Sequence, residues 1–377
     1  MKIIADDKIP FLKGVFEPYA TVEYYTGKDI QPEHVKNANA LIVRTRTKCN
    51  EQLLKDSSVK IVATATIGTD HFDIPWLEKA GIDWCNSPGC NSGSVRQYIA
   101  SVFAHRIKEG LKPESTTLGI VGVGMVGSKI EALARNLGFN VLLNDPPRER
   151  NEGSDKFCSL ESLLNKSDIV TFHTPLNMEG PDATFDLLNN DSIKFLKKGA
   201  IIINSSRGEV TSSNTLLSGL DSGDISRLVL DVWENEPHIH PELHKRTWIA
   251  TPHIAGYSMD GKANGTTMAV QKVASKLGFP LTEWAPESIP SPANRYICLD
   301  AHDKHPSLVA ADAILSTYDI KDDDLELRNH PEEFEKIRGS YPIRREFEAW
   351  IIHPDSYLNQ ESVKTLKNLG FQFVIDR

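Results

Sequence analysis

A chain of 377 residues holds two to three domains at roughly 150 residues apiece. With 40% hydrophobic and 25% charged residues, 24 Gly and 21 Pro, its composition is that of a globular protein and excludes a disordered, collagen-like or membrane-embedded chain. Lys and Arg number 42 against 51 Asp and Glu, a formal charge of −9, which repels polyanions at long range; with no basic patch to offset it, no nucleic-acid partner is expected.

The first residues, MKIIADDKIP, bring acids directly after a short apolar stretch, which is not the pattern of a secretory leader. Apolar runs such as Ala200 to Ile203 are far shorter than the ~20 residues that cross a bilayer. No membrane partner is expected, and the expected location is cytoplasmic. The five cysteines, Cys49, Cys85, Cys90, Cys158 and Cys298, are odd in number and scattered without a C-x-x-C pair, which predicts free thiols and neither a disulfide framework nor a zinc site.

Short β-branched runs bounded by turn residues alternate with helix-patterned stretches, the mark of βαβ units on parallel sheets, so the predicted class is α/β. Strands are predicted at Lys2 to Ala5, Thr21 to Tyr25, Ala40 to Arg44, Lys60 to Thr64 and Ile82 to Cys85. A long helix over Ser92 to Glu109 then leads to a second series: Leu118 to Val121, Asn140 to Asn144, Asp168 to His173, Gly199 to Asn204, Arg227 to Asp231 and Trp248 to Thr251. Six strands at this spacing make a dinucleotide-sized domain. A helix over Ser258 to Leu277 follows, then a segment with Pro280, Pro286, Pro290 and Pro292, which reads as a linker. The remainder, Asn294 to Arg377, mixes acidic stretches with apolar runs and reads as a small further domain.

Chemistry concentrates in the second series. Gly122, Gly124 and Gly127 stand in G-x-G-x-x-G spacing directly after a strand and at the start of a helix. There the first would make the tight turn, the second admit a pyrophosphate and the third allow helix and strand to pack closely. Met125 and Val126 would offer backbone N–H groups to the phosphates. Asp145, 23 residues after Gly122, stands where a ribose-binding acid is expected, which favours NAD over NADP. Arg207, Glu236 and His253 each follow a strand of the same series, and the carboxyl ends of a parallel sheet bring such loops together. An Arg fork can grip a carboxylate, His253 can move a proton near neutral pH, and Glu236 would orient the imidazole and favour its charged form. That trio suits hydride transfer from a 2-hydroxy acid; a protein that only binds a dinucleotide needs none of the three.

The segments Gly122 to Gly127 with Asp145, Ser205-Ser206-Arg207-Gly208-Glu209, Asp231 to Pro237 and Thr251 to Gly256 resemble the four signatures of the D-isomer-specific 2-hydroxyacid dehydrogenases, a likeness spanning residues 1 to about 290. Thr64 to His71, Ser87 to Asn91, His253 to Tyr257 and the C-terminal extension resemble one branch of that family. The resemblance implies two Rossmann-like lobes, a discontinuous substrate-binding (catalytic) domain over 1–92 and 259–285 and an NAD-binding domain over 93–258, plus a small α+β dimerisation domain over 290–377. It implies NAD-dependent oxidation of a phosphorylated small-molecule 2-hydroxy acid by a homodimer. Arg207, Glu236 and His253 would be catalytic. Asp145, Thr174, Ser205, Ser206, Arg207, Asp231 and Gly256 would touch NAD, and Thr45, Thr66 and Tyr257 the substrate. Thr174 also fits on its own terms, since it opens the loop after a predicted strand.

A phosphorylated substrate asks for cations, and Arg44, Arg46 and Lys48 would share one face if the strand before them persisted. His238, His240 and His244 follow a proline in a polar loop with no carboxylate at a zinc-site spacing, and Asp322 to Asp324 lack the Gly and distal Glu of a calcium loop, so no metal is expected at either place.

Overall fold

The computed structural model describes residues 1–374. The chain divides into two compact units, one made of Met1–Asn91 with Tyr257–Pro290, the other of Ser92–Gly256 with the residues from Ser291 onward.

In the first unit, five short strands, β1 (Lys2–Asp6), β2 (Thr21–Tyr25), β3 (Ala40–Val43), β4 (Ile61–Thr64) and β5 (Asp83–Cys85), pair in parallel in the order β2-β1-β3-β4-β5. The central strands β3 and β4 are buried along their whole length, which is why they read as continuous apolar runs rather than alternating ones. One face is covered by the helix Met259–Leu277, whose Ala269, Val270 and Val273 pack with Ile3, Ile42 and Ala63. Ser258 starts that helix by accepting the Gly261 N–H at 2.8 Å. The order reverses between β1 and β3, so the loops after these two strands flank the switch point where ligands of open α/β sheets bind.

The second unit carries β6 (Thr117–Val121), β7 (Asn140–Asn144), β8 (Ile169–Phe172), β9 (Ala200–Asn204), β10 (Ile225–Leu230) and β11 (Ile249–Ala250), all parallel in the order β11-β10-β9-β8-β6-β7. Its switch point lies between β6 and β8. The helix Ser92–Lys108 is buried nearly all round, because it packs on the helix Met125–Leu137 and also on a C-terminal helix, Pro306–Thr317. No single polar face was therefore available to the sequence pattern.

No helix or strand forms between Leu277 and Tyr296, where the prolines cluster. Beyond it, β12 (Tyr296–Ile297), β13 (Ile351–Ile352) and β14 (Gln372–Phe373) form a small parallel sheet. The segment anticipated as a separate domain, 290–377, shares a core with the dinucleotide-type sheet: Leu327 and Phe334 are buried with Val121, Phe172, Leu228 and Trp233. Proline content marks where regular structure stops, and these apolar side chains show where packing continues. The Gln97 side-chain amide donates to the Arg345 carbonyl at 2.8 Å, and Ser94 to the Glu346 carboxylate at 3.0 Å. Ile375 to Arg377, the end of that anticipated domain, lie outside the described residues. No described helix is long and apolar enough to cross a membrane.

Candidate active site

At the switch point of the second unit, β6 runs into Gly122, whose φ of +84° a side chain would strain. A Cβ on Gly122 would also lie 2.7 Å from the His173 carbonyl oxygen and 2.9 Å from Thr174 Cγ2, and one on Gly127 would lie 2.0 Å from the Gly122 carbonyl oxygen. Gly124 caps the helix Met125–Leu137 with no side chain engaging its first amides, and both Gly124 and Met125 are exposed. Those amides, Val126 and Gly127 included, form an anion-binding end. Asp145 directly follows β7; its carboxylate accepts the Val123 N–H at 2.8 Å and the Arg148 N–H at 3.0 Å, leaving one lone pair on each oxygen for a further donor. Arg148 is held by Glu152 at 2.6 and 2.8 Å and by the Val123 carbonyl, so it is not poised to receive an extra phosphate.

Two buried hydroxyls at the carboxyl ends of neighbouring strands, Thr174 after β8 and Ser205 after β9, have no hydrogen-bond partner among the described residues. Buried hydroxyls are rarely left so, and at this position they fit a group that arrives as a ligand. Together with the glycine turn and the open helix end, these residues fit a bound dinucleotide.

Arg207 follows β9. The loop is fixed by Asn204, which accepts from the Ser206 N–H at 3.0 Å and hydroxyl at 2.8 Å while donating to the Arg207 carbonyl at 2.9 Å. Gly208 lets this loop lie against the one after β10: an added Cβ would meet Trp233 C at 2.1 Å and Glu234 N at 2.5 Å. In that second loop, Glu236 accepts the Trp233 N–H at 3.3 Å with one carboxylate oxygen and bonds His253 Nδ1 with the other. Trp233 in turn donates its indole N–H to the Thr251 carbonyl at 2.9 Å, tying the Glu236 loop to the His253 loop. With Nδ1 engaged by the carboxylate, Nε2 is the nitrogen left to exchange a proton. Burial acts to raise the Glu236 carboxyl, but the hydrogen bond and charge of His253, with the charge of Arg338, hold it below its ordinary value.

His253 adopts φ +56°, a left-handed conformation costing on the order of 1–3 kcal/mol in a non-glycine residue. Asp231 maintains it. Its backbone carbonyl accepts the His253 N–H at 2.7 Å, and its carboxylate accepts the Ile254 N–H and Thr251 hydroxyl at 2.7 Å and the Ala255 N–H at 2.9 Å. Asp231, anticipated as a cofactor contact, is 1% exposed, and its bonds in this structure go to the histidine loop. Burial raises its carboxyl's proton affinity against those bonds. Gly256, at the end of the same loop, is half-buried.

The other anticipated residues belong to the first unit. Strand β3 ends at Val43 and residues 45–47 form a turn, so the alternation that would have put Arg44, Arg46 and Lys48 on one face does not hold. Arg44 and Arg46 instead sit in the loop at the switch point. Arg44 Nε lies 3.3 Å from the buried Asp6 carboxylate at the end of β1, and Thr45 and Arg46 are exposed. Thr66, after β4, shares a 2.7 Å hydroxyl contact with Thr64, and Tyr257 has the Lys262 ammonium 5.1 Å from its ring centroid. His240 caps the helix Pro241–Arg246 through Nδ1, and His244 packs edge-on against Trp233, both structural duties. Sequence reasoning missed Asn204, Trp233 and Arg338 as supports of the trio; a buried Trp three residues before the Glu was the available signal for one of them.

Residues 94–255 match the family described as D-isomer specific 2-hydroxyacid dehydrogenase, NAD binding domain, and residues 289–370 match a domain of unknown function, DUF3410. The chain is 46% identical over 354 residues to the erythronate-4-phosphate dehydrogenase of Bacteroides thetaiotaomicron, covering 93% of this chain and 99% of that one. It is 38% identical over 378 residues to that of Escherichia coli, covering 99% of each. Among solved structures it resembles the TT0316 protein from Thermus thermophilus with a TM-score of 0.63 and 25% identity, over 76% of this chain and 99% of that one.

Proposed function

The chain belongs to the erythronate-4-phosphate dehydrogenases, within the D-isomer-specific 2-hydroxyacid dehydrogenase family, and from that membership we propose that it oxidises 4-phospho-D-erythronate at C2 to the 2-oxo acid with NAD, on the route to pyridoxal phosphate. The observation that carries the chemistry is the Glu236–His253 pair, set at the carboxyl edge of the dinucleotide-type sheet with the Arg207 loop packed beside it.

NAD, when bound, supplies the acceptor for the C2 hydride. Gly122, Gly124, Met125, Val126 and Gly127 hold its pyrophosphate, Asp145 its ribose, and Thr174, Ser205 and Ser206 further polar groups. Arg207 grips the substrate carboxylate and steadies the oxygen on C2. His253 Nε2 takes the proton of the C2 hydroxyl as the C–H bond breaks, so that C2 loses a hydride and its oxygen becomes a carbonyl. Glu236 fixes the imidazole's orientation and stabilises the imidazolium that forms. Asp231 acts from beneath, by holding the backbone of the histidine loop. Thr45, Thr66 and Tyr257 are proposed substrate contacts, and Arg44 and Arg46 proposed phosphate ligands; two cations at a sheet's switch point suit an anionic group.

The protein is proposed to work as a homodimer through residues 290–377, and in the cytoplasm, where its free cysteines suit a reducing compartment. The test is NADH formation by the purified protein with 4-phospho-D-erythronate and, in parallel, 3-phospho-D-glycerate. Preference for the first supports this substrate. Preference for the second would keep the cofactor and trio but reassign the substrate, and stable NADH binding with no turnover of either would overturn the enzymatic reading.

A further inference from the structure

The C-terminal segment places one side chain against the loop that carries His253. Arg344 is 5% exposed, and its Nη2 donates to the Ala255 carbonyl at 2.6 Å and to the Ile254 carbonyl at 3.3 Å. These are the two residues that follow the left-handed His253. Their amides go to Asp231, so the same two peptide units are gripped by a carboxylate at their N–H groups and by a guanidinium at their carbonyls.

The guanidinium is itself held in a built pocket. It lies 4.5 Å from the Tyr318 ring centroid and 5.7 Å from that of Tyr341. Asp323 accepts the two tyrosine hydroxyls at 2.6 and 2.7 Å, giving the buried cation a nearby counter-charge. Arg344 Nη1 reaches the Tyr341 hydroxyl at 3.4 Å. On the other side of the loop, the Tyr98 hydroxyl bonds Thr251, which donates to Asp231. A buried cation survives only where its partners are good, and here two of those partners are backbone carbonyls of the catalytic loop.

We infer that Arg344 is a positioning residue for the dehydrogenase reaction, which fixes the His253 peptide from its carbonyl side and thereby makes the C-terminal segment part of the active-site architecture of the same subunit. The inference rests on the proposed catalytic role of His253. Without this contact, the carbonyls of Ile254 and Ala255 lose their side-chain anchor while Asp231 still holds the amides, and the loosened turn at His253 weakens the fixed relation of the imidazole to Arg207 that proton and hydride transfer require together.

The experiment compares full-length wild type with Arg344→Met and Arg344→Lys by two readouts: steady-state turnover of 4-phospho-D-erythronate, and hydrogen exchange of the Ile254 and Ala255 amides relative to β9 amides. Arg344→Met is expected to lower kcat by about 10- to 100-fold with KM for NAD unchanged, and to speed exchange at 254 and 255 while β9 amides stay slow. Arg344→Lys, which keeps the cation but not the fork, should fall between the two. A folded Arg344→Met with wild-type kcat and unchanged exchange at 254 and 255 overturns the inference. If the Met variant does not fold, the Lys variant decides: faster local exchange with reduced kcat supports the role, and wild-type behaviour in both refutes it. If the wild type oxidises neither hydroxy acid, the functional reading has failed, while the exchange comparison still reports on the contact itself.

Discussion

Gly208→Ala tests the idea that the Arg207 and Glu236 loops depend on direct backbone-to-backbone packing. The added methyl would sit 2.1 Å from Trp233 C and 2.2 Å from its carbonyl oxygen, whereas ordinary contact begins at 3.4 Å, so the loops must part by about 1.3 Å at that point (3.4 − 2.1). Both obstacles are backbone, which cannot swing aside as a side-chain tip does. Overpacking of this kind costs about 1–3 kcal/mol, and a displacement of about 1 Å at a reacting group costs about 10²-fold in rate. Because the same loop carries Ser205 and Ser206, proposed to touch NAD, NADH affinity should weaken too, although the glycine turn at Gly122 lies on another strand and is left in place. The assay is kcat for 4-phospho-D-erythronate beside a thermal melt and an NADH titration. The expected result is a roughly hundredfold fall in kcat with a lower melting temperature and weakened, still detectable NADH binding. Wild-type kcat in a folded Gly208→Ala protein would refute the reasoning.

His253→Ala should lower turnover by about 10²- to 10⁴-fold, measured as kcat with NADH binding retained; an unchanged kcat removes it from the reaction. Asp145→Ala should cost about 1 kcal/mol through the lost helix cap and narrow the preference for NAD over NADP, read from the KM of each nucleotide; an unchanged preference would place nucleotide choice elsewhere. Burial pushes His173 down to about 3 from an ordinary 6.5, so the unfolded chain takes up this proton first. The stability associated with its neutral form is present above pH ~6.5 and is lost as pH falls towards ~3, at about 1.4 kcal/mol per pH unit. Urea midpoints at pH 6.5 and 5 should therefore drop more in the wild type than in His173→Gln, by an equivalent of about 2 kcal/mol; equal drops would contradict the assignment.

The sheet strands were legible because buried parallel strands need uninterrupted apolar runs, and Ile201 to Ile203 or Leu41 to Val43 can serve little else. Arg207, Glu236 and His253 were legible because each follows such a run directly, and strand ends in one parallel sheet converge. Less could be read where meaning lies in tertiary contact. Nothing local to Arg344 announces that it is buried, since an arginine beside another arginine ordinarily reads as surface. Asp231 carries the right charge for a ligand contact, and only the folded loop shows its oxygens bonded to Thr251, Ile254 and Ala255. The Arg44 to Lys48 stretch failed as an alternation argument because the chain turns after Val43, and a turn with no Gly or Pro leaves few traces.

The way the chain threads its two units has a consequence for synthesis. The first unit is interrupted after Asn91 and resumes only at Tyr257, so its covering helix emerges from the ribosome after the whole six-stranded sheet of the other unit has been made. The second unit is in turn incomplete until Arg344 arrives. Neither can be finished as a contiguous stretch of nascent chain, and the Ser94–Glu346 bond must close across 252 positions. A polypeptide stopped in the proline segment, before Tyr296, would carry all three members of the trio and still lack the side chain that grips the histidine loop from behind, so a premature stop there should yield a dehydrogenase complete in its motifs and impaired in its activity.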